Sequence, residues 1–301
     1  MKNVQVKRAA RCFAIVASLA FLAGPASRSQ TLPTAPPNIL LLVHQEFKPE
    51  NEAAHEKLAS DLVDACSQLE VPNQWIALQS ITGAPEMLSF DPFETFADVD
   101  NAYAAWAGIN AAHPDVARMQ QDVRAMELRE RTIIAVRRGD LSYQASSIDL
   151  SKARFMRVLE VRLLPGREAE FTEAFKILRA AYEKIKADTP WVVYQVNVGM
   201  PSPTFLAFVP MRALKQNDDL LAWRPLLREA EGDVAAKRMD QIAKEAYAST
   251  ESNLYAIRPD LSHVSKDFAE GDLDFWTPKS GRPEMEQQQN QNSPKLPRKM
   301  R

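Results

Sequence analysis

The sequence predicts an α+β protein built from two copies of one β-α-β-β-α-β unit. The first observation is a repeated phrase, because "IIAVRRGDLSY" from Ile133 and "LYAIRPDLSHV" from Leu254 share Arg-x-Asp-Leu-Ser. The second observation is a constant spacing of 116 residues, which joins Trp75 to Trp191 and continues through the flanking strands and turns. An internal repeat of this kind is typical of a duplicated structural unit.

The amino terminus has the three parts of a secretory signal peptide. Residues 2–11 hold four basic and no acidic side chains, and the twelve residues from Cys12 carry no charge. Small residues follow, so we expect cleavage after Ala26 or Ser29. The apolar run is shorter than the roughly 20 residues that cross a bilayer. We therefore expect residues 1–29 to be removed, which leaves a linker at 30–37. The mature protein is expected to be exported, either periplasmic or secreted, and to have no transmembrane segment.

Composition limits the partners of the mature chain. Without residues 1–29, 32 basic and 39 acidic residues give a net charge of −7. A nucleic-acid-binding surface is expected to be basic, so nucleic acid is an unsuitable partner. Only Cys66 remains after processing, which excludes an internal disulfide. Stability must therefore come from a buried apolar core.

The first strand of each copy is predicted at residues 38–47 and 154–163, which are apolar and β-branched and lack helix caps. A helix with one apolar stripe follows in each copy. In the second copy the stripe consists of Phe171, Phe175, Leu178, Tyr182 and Ile185, and in the first copy it consists of His55, Ala59, Leu62, Cys66 and Leu69.

Two strands joined through Gly and Pro come next, followed by a helical region and a final strand. The helical regions are expected to break near Pro114 and Pro225, with helices at 115–129 and 233–248. The copies thus span residues 38–150 and 151–265, and residues 266–301 form an extension that we expect to be disordered from about residue 278. This order of elements is the ferredoxin-like split βαβ unit. Its sheet has helices on one face only, so we expect the two sheets to pack against each other.

With its Trp-bearing second strand and a second aromatic cluster before the last helix, the chain resembles the dimeric α+β barrel superfamily. That superfamily includes the antibiotic-biosynthesis-type monooxygenases and the NIPSNAP-like proteins. The resemblance covers residues 38–264 and rests on element order and periodicity. Members usually form the barrel from two chains. Because this chain contains both copies itself, the resemblance implies a monomer in which the two copies form an intramolecular pseudo-dimer.

Motifs of common enzyme classes are missing. The nine glycines form no GxGxxG, GxxxxGK or GxSxG pattern. The chain also has no CxxC, HxH or HExxH, so spacing predicts no metal site and no cofactor.

His55 is the first candidate for a functional side chain. It takes the place of Phe171 on the apolar helix stripe, where a polar group needs a partner. A hydrogen-bonded core histidine is one interpretation. The other is a pocket between helix and sheet, which is where the resemblance places the ligands of oxygenases and haem-degrading proteins. Cys66 is about 16 Å further along the helix and is expected to be a small buried residue.

A second candidate site lies on the first strands. Alternation places His44 and Glu46 on one face, and Glu160 and Arg162 on the equivalent face of the second copy. If this face lines the barrel, the four side chains can meet across the pseudo-twofold axis. They would form either a structural ion-pair network or a site of proton transfer.

Two Trp–Gln pairs form a third candidate. Trp75 with Gln79 and Trp191 with Gln195 each share a strand face. A flat ring beside an amide suits an aromatic ligand, and it suits ordinary packing equally well.

Two functions remain open from the sequence. The first is binding of a small apolar or aromatic molecule in a barrel or helix–sheet pocket by an exported protein. The alternative, which the resemblance implies, is a cofactor-independent oxygenase or haem-handling enzyme with His55 or His44 as base or ligand.

Overall fold

A computed structural model describes residues 32–277. The strands are β1 (Ile39–Phe47), β2 (Trp75–Ser80), β3 (Glu86–Phe93), β4 (Glu127–Arg137), β5 (Phe155–Leu163), β6 (Val192–Val198), β7 (Thr204–Met211) and β8 (Tyr247–His263). The helices are α1 (Glu52–Gln68), α2 (Phe96–Ala112), α3 (Pro114–Ala125), α4 (Glu168–Ile185), α5 (Gln216–Glu231), α6 (Asp233–Ala246), α7 (Lys266–Ala269) and α8 (Leu273–Trp276). The α+β class expected from the sequence is confirmed. The expected signal peptide at 1–29, the first two linker residues and the segment from 278 lie outside the described residues.

The eight strands form one closed antiparallel barrel in the order β1-β3-β2-β8-β5-β7-β6-β4. Strand β4 pairs with β1 and closes the ring. The four strands of each half have the same order, which is consistent with the internal repeat. The halves are joined by pairing of β2 with β8 and of β4 with β6. Within residues 32–277, no helix is long and apolar enough to cross a membrane.

Two predicted helix boundaries were wrong. The helices expected at 115–129 and 233–248 end earlier, at Ala125 and Ala246. The reason is that the following residues pair as strand, with Arg129 opposite Glu46 on β1. The break expected near Pro225 lies at Gly232 instead, where φ is 79°. That left-handed backbone favours glycine because it has no Cβ.

The barrel interior is filled by apolar side chains from every strand. An eight-stranded barrel is just wide enough for its own side chains to fill it. The central layers contain Leu40, Leu42, Ile76, Leu78, Leu88, Phe90, Ile133, Ala135, Met156, Val158, Val192, Tyr194, Val196, Leu206, Phe208, Tyr255 and Ile257, all buried. These side chains form one continuous apolar core in the middle of the barrel.

Three chain segments close one end of the barrel, here called the floor. Leu32 of the amino-terminal segment, Ile148 between the halves, and Phe268 and Trp276 of the carboxyl-terminal helices join the interior core. Trp276 Nε1 donates to the carbonyl of Ser151 at 2.6 Å. The described parts of the expected linker and extension are therefore packed against the barrel.

Each half is bound by a segment from the other half. Near the end of β8, Arg258 donates to both carboxylate oxygens of Asp260 at 2.9 and 2.6 Å and to Gln79 Oε1. The next carbonyl, that of Leu261, accepts from Trp75 Nε1 at 2.9 Å. The repeated phrase of the second half thus binds the Trp–Gln pair of the first.

The reciprocal contact has the same geometry. After β4, Arg138 donates to Asp140 at 2.9 and 2.8 Å and to Gln195 Oε1 at 3.0 Å. The carbonyl of Leu141 accepts from Trp191 Nε1 at 2.9 Å. We call these two Arg-x-Asp-Leu-Ser segments the clasps. They explain why the phrase occurs twice.

The serine of each clasp offers a test of its contribution. Ser142 Oγ donates to the Arg138 carbonyl at 2.8 Å and accepts from the Val193 amide at 3.0 Å. Ser142→Ala leaves that buried amide without an acceptor, so we expect the free energy of unfolding to fall by about 1–3 kcal/mol. Ser262→Ala should have the same effect, because Ser262 accepts from the Ala77 amide at 2.9 Å. Urea unfolding measures both changes.

Ser147→Ala is the matched control. Its exposed hydroxyl donates to one carbonyl only, that of Gln144 at 2.8 Å. A change within about 0.5 kcal/mol is expected there. Equal effects of Ser142→Ala and Ser147→Ala would show that the clasp contributes little to stability.

Candidate functional site at the barrel mouth

The end of the barrel opposite the floor, here called the mouth, carries polar side chains on the interior face. Strands β1 and β5 run in the same direction, since four antiparallel steps separate them. Their interior-facing residues change from apolar to polar towards this end, at His44 and Glu160. Glu86 at the start of β3 and Tyr255 on β8 face the same space.

Glu86 is the central acceptor of this cluster and is 7% exposed. His44 Nε2 lies 2.7 Å from Glu86 Oε2, and the Tyr255 hydroxyl donates to Oε1. Burial opposes ionisation of Glu86. The hydrogen bonds from His44 and Tyr255 and the charge of His44 outweigh burial, and the pKa of Glu86 is lowered. The carboxylate is therefore the favoured form of Glu86.

The ionised carboxylate determines the tautomer of His44. A carboxylate can only accept, so Nε2 carries the proton that points to Glu86. In the neutral ring, Nδ1 then holds the lone pair. Tyr255 is available as a donor because burial, reinforced by Glu86, raises the pKa of its hydroxyl.

Glu160 lies near this cluster and has the opposite tendency. Burial raises its pKa, and the charge of Glu251 raises it further, whereas Arg131 and His44 lower it. The net result is a raised pKa for the Glu160 carboxyl. Two carboxyl groups whose environments shift their pKa values in opposite directions are typical of an acid–base pair of groups.

Within residues 32–277, no hydrogen bond or ion pair joins any two of the four strand residues that were expected to meet. The charge of His44 reaches Glu160 only as a small lowering of the pKa of the Glu160 carboxyl. Glu46 instead lies 3.9 Å from Arg129 at the rim, and Arg162 is exposed. Sequence reasoning missed Glu86 and Tyr255.

A signal for Glu86 was present in the sequence. Alternation along β3 puts Glu86 on the same face as Leu88 and Phe90, so it is a single acid among apolar interior residues.

The mouth cluster is not repeated in the second half. At the offset of 120 that relates the two clasps, Tyr255 corresponds to Ala135, which is fully buried. Glu160 takes the place of His44 at the offset of 116. Contacts that the fold requires occur in both halves, as the clasps do. A cluster that occurs once is better explained by a function of its own.

The Trp–Gln pairs are engaged within the fold. Trp191 is 4% exposed and packs against Tyr143 and Tyr182, with ring centroids 5.0 and 4.5 Å away. Trp75 packs against Trp106 and His263 at 6.2 and 5.2 Å. Both indoles donate to clasp carbonyls, and the glutamine of each pair accepts from a clasp arginine. Both Trp–Gln pairs therefore pack within the fold and join the two halves.

His55 lies between α1 and the outer face of the barrel, beside the last residue of β1. It is 1% exposed, and its ring stacks on Phe47 with centroids 4.8 Å apart. Both ring nitrogens lack a hydrogen-bond partner among the described residues. Burial lowers the pKa of His55, although the charge of Glu56 opposes this. The ring is therefore favoured in its neutral form.

Glu127 is the titratable group that faces His55 from the barrel. Its Oε1 lies 4.0 Å from His55 Nε2 and accepts from Gln45 Nε2 at 2.5 Å. Burial first, and then the charge of Glu130, raise the pKa of Glu127 to about 7.

Cys66 occurs on the same helix face as His55. It is fully buried, which raises the pKa of its thiol to about 12. Within residues 32–277, no group of three His, Cys, Asp or Glu side chains could hold a metal ion.

Glu127 makes the stability of the protein depend on pH. The ordinary pKa of this carboxyl is 4.5, so between pH 4.5 and about 7 Glu127 keeps its proton in the folded state and loses it in the unfolded state. Proton binding by Glu127 therefore stabilises the folded state. This stabilisation is complete below pH 4.5 and is lost as the pH rises through 7. Glu127→Gln keeps the planar shape of the carboxyl group but cannot ionise. We expect its free energy of unfolding, relative to wild type, to rise by up to about 3 kcal/mol between about pH 5 and pH 8.

Urea unfolding at several pH values measures this difference. The control is Glu229→Gln, the same substitution at an exposed position on α5. An equal effect of Glu127→Gln at the acidic and the alkaline end of this range would contradict the assignment.

The chain matches no protein-family model and no curated protein. Solved structures do match it. An anthrone oxidase-like protein aligns with a TM-score of 0.50 and 13% identity over 76% of this chain and 94% of that one. A protein proposed to be a monooxygenase from Lactobacillus acidophilus aligns with a TM-score of 0.44 and 11% identity over 73% and 93%. A haem-binding protein from Thermus thermophilus aligns with a TM-score of 0.42 and 10% identity over 77% and 96%.

Identities this low concern the fold alone. The strand order, the closed barrel and the first of these structures agree with the resemblance drawn from the sequence. The chain has the fold of the dimeric α+β barrel superfamily, with the whole barrel formed by one polypeptide.

Proposed function

We propose that the chain is a cofactor-independent enzyme that removes a proton from a small phenolic or enolisable molecule at the barrel mouth. The observation that supports this most is the Tyr255–Glu86–His44 chain of hydrogen bonds. Glu86 lies within bonding distance of both neighbours, is nearly buried and is favoured as the carboxylate. His44 is the base in this proposal.

The roles follow from the hydrogen bonds. Glu86 orients His44 through Nε2 and stabilises the imidazolium that forms when Nδ1 takes a proton, as the carboxylate does in other acid–base relays. Tyr255 holds the second carboxylate oxygen and fixes its direction. His44 has a side chain that is 21% exposed, so a substrate at the mouth can reach it.

The substrate becomes negatively charged when the proton leaves. Arg131 lies opposite His44 in the register of β4 with β1 and provides a positive charge nearby. Glu160, which retains its proton to a higher pH than an ordinary glutamate, is the donor that returns a proton. An electron-rich anion of this kind can react with dioxygen directly: a CH₂ group and O₂ give a C=O group and water.

Exposed apolar residues at the same end suit a ring-shaped substrate. Ile81 and Leu164 directly follow β2 and β5, and each is 44% exposed. Val198 is the last residue of β6 and is 53% exposed. The similarity of fold to an anthrone oxidase-like protein supports an aromatic substrate. Binding of a small aromatic molecule, expected from the sequence, is thus the first step of the proposed reaction.

Haem does not fit the residues around His55. A ring that is 1% exposed and stacked on Phe47 has no open face towards a porphyrin. The unpartnered nitrogens beside Glu127 resemble a ligand with its carboxylate partner. Without space for the macrocycle, however, the haem-handling alternative has no support from this geometry.

Export is part of the proposal. The charged, apolar and small-residue segments of residues 1–29 support a periplasmic or secreted location. Intact-mass measurement of the protein from its own host should give an amino terminus after Ala26 or Ser29. A chain that still begins at Met1 in the soluble cell fraction would contradict export.

Oxygen uptake with anthrone as the probe tests the enzyme proposal. We expect the wild type to consume dioxygen and form anthraquinone faster than buffer. His44→Gln and Glu86→Gln should each lower the rate about 10²–10⁴-fold, because general base catalysis contributes that much. His113→Gln, a matched change at the junction of α2 and α3, should leave the rate unchanged.

Three outcomes would count against the proposal. They are a wild-type rate equal to buffer with anthrone and with simple phenols, equal rates for His44→Gln and wild type, and equal losses for His44→Gln and His113→Gln. Circular dichroism of each variant separates loss of catalysis from loss of folding.

A further inference from the structure

A polar cleft lies outside the barrel, where the two halves meet. Its volume is about 530 Å³, which is within the range of about 300–1,000 Å³ that is usual for small-molecule sites. One wall belongs to the first half and is formed by the clasp at residues 138–142 and the segment that follows it. The other wall belongs to the second half and is formed by Arg179, Glu183 and Lys186 at the end of α4. The cleft is open to solvent, so a small molecule can enter it directly.

Hydrogen bonds within the fold hold the walls of the cleft in place. The Tyr143 hydroxyl donates across the junction of the halves to the Ala187 carbonyl at 3.0 Å, and it accepts from Gln144 Nε2 at 2.9 Å. On the opposite wall, Arg179 Nε donates to Glu183 Oε1 at 2.9 Å. The cleft is therefore formed before any ligand enters it.

The side chains that line the cleft leave a positive charge without a partner. Arg179 neutralises Glu183, which is the one acid among the lining residues of the described chain. The ammonium group of Lys186 forms no hydrogen bond or ion pair in the part of the chain that the structure describes, and the Ser146 hydroxyl forms none there either. A cleft lined by an excess of positive charge attracts an anion.

The other junction of the halves lacks these charges. At the offset of 116, the three charged residues of α4 are replaced by Val63, Ser67 and Glu70. Ser67 Oγ lies 3.2 Å from Nδ1 of His263, which is the counterpart of Tyr143, so the two walls bond to each other directly at that junction. The fold therefore does not require the charges of the cleft, and their presence at one junction favours a function in binding.

We propose that this cleft binds a small organic anion that carries carboxylate or phosphate groups. Lys186 and Arg179 pair with the charged group, and the Ser146 hydroxyl donates to it. The cleft is larger than a single oxyanion group, which leaves space for the carbon skeleton of the ligand. Because the ligand contacts both halves, its binding stabilises their junction. The site is separate from the proposed reaction, since the clasp follows the end of β4 that lies at the floor.

Gly139 allows the cleft to be changed without disturbing the fold. It lines the cleft, a Cβ placed there meets no atom within 4 Å, and its counterpart in the other clasp is Pro259. Gly139→Glu adds a negative charge at the cleft, and Gly139→Gln is the matched neutral change. Lys186→Gln removes the unpartnered cation, and its control, Lys237→Gln, removes an exposed lysine on α6.

Amide NMR at constant ionic strength measures binding, with citrate and glycerol 3-phosphate as test ligands and glycerol as the uncharged control. We expect saturable shifts of the Gly139, Gln144 and Ser146 amides with at least one of the two anions, and none with glycerol. Gly139→Glu and Lys186→Gln should each raise the Kd by about fivefold or more, since a charge-assisted hydrogen bond contributes at least that much. Gly139→Gln and Lys237→Gln should leave the Kd unchanged.

The two anions distinguish the two ligand chemistries. Shifts with citrate alone would assign a carboxylate ligand, and shifts with glycerol 3-phosphate alone would assign a phosphate ester. The absence of saturable shifts with both anions would overturn the site. Equal Kd values for Gly139→Glu and Gly139→Gln, or for Lys186→Gln and Lys237→Gln, would also overturn it, with circular dichroism confirming that each variant is folded.

Discussion

The pairing of β2 with β8 and of β4 with β6 is the contact on which the rest of the structure depends. A four-stranded sheet with helices on one side leaves an apolar face that must be covered. Pairing of the edge strands of the two halves closes the sheets into one barrel, which encloses both apolar faces and leaves no unpaired edge. The clasps secure each pairing, because Arg138 and Arg258 reach the glutamine of the opposite half. Neither half can complete its Trp–Gln environment alone.

The two-fold pattern also separates structural from functional features. Residues that serve the barrel occur twice with matching bonds, and the tryptophans are the clearest case. The mouth departs from this pattern, since Tyr255 and Glu86 have no equivalent pair in the other half. His55 also departs from it, because Phe171 fills the equivalent space and stacks on Phe205 at 4.1 Å. The mouth cluster is open to solvent at His44, whereas His55 is closed off, which is why we propose catalysis at the mouth and not at His55.

Much of the fold was predictable because the chain samples the same pattern twice. The order of elements along the chain and the apolar helix stripe follow from alternation and spacing. Glu86 and Tyr255 were missed because their role depends on barrel closure, which brings strands together that are 169 residues apart in sequence. From the sequence, the Trp–Gln pairs were compatible with ligand binding and with ordinary packing. The hydrogen bonds to the clasps, which only the structure shows, favour packing. Helix ends were wrong where strand pairing overrode helix propensity at Arg129.

The central claim is that an ionised Glu86 orients His44 as a base. The ring ¹⁵N shifts of His44 test this most directly, because they identify which nitrogen carries the proton in the neutral ring. We expect the Nε2–H tautomer in the wild type, with Nδ1 holding the lone pair, and loss of that preference in Glu86→Ala, which has no acceptor for Nε2–H. A neutral His44 protonated at Nδ1, or a tautomer that does not respond to Glu86→Ala, would contradict the assignment of His44 as the base at the mouth.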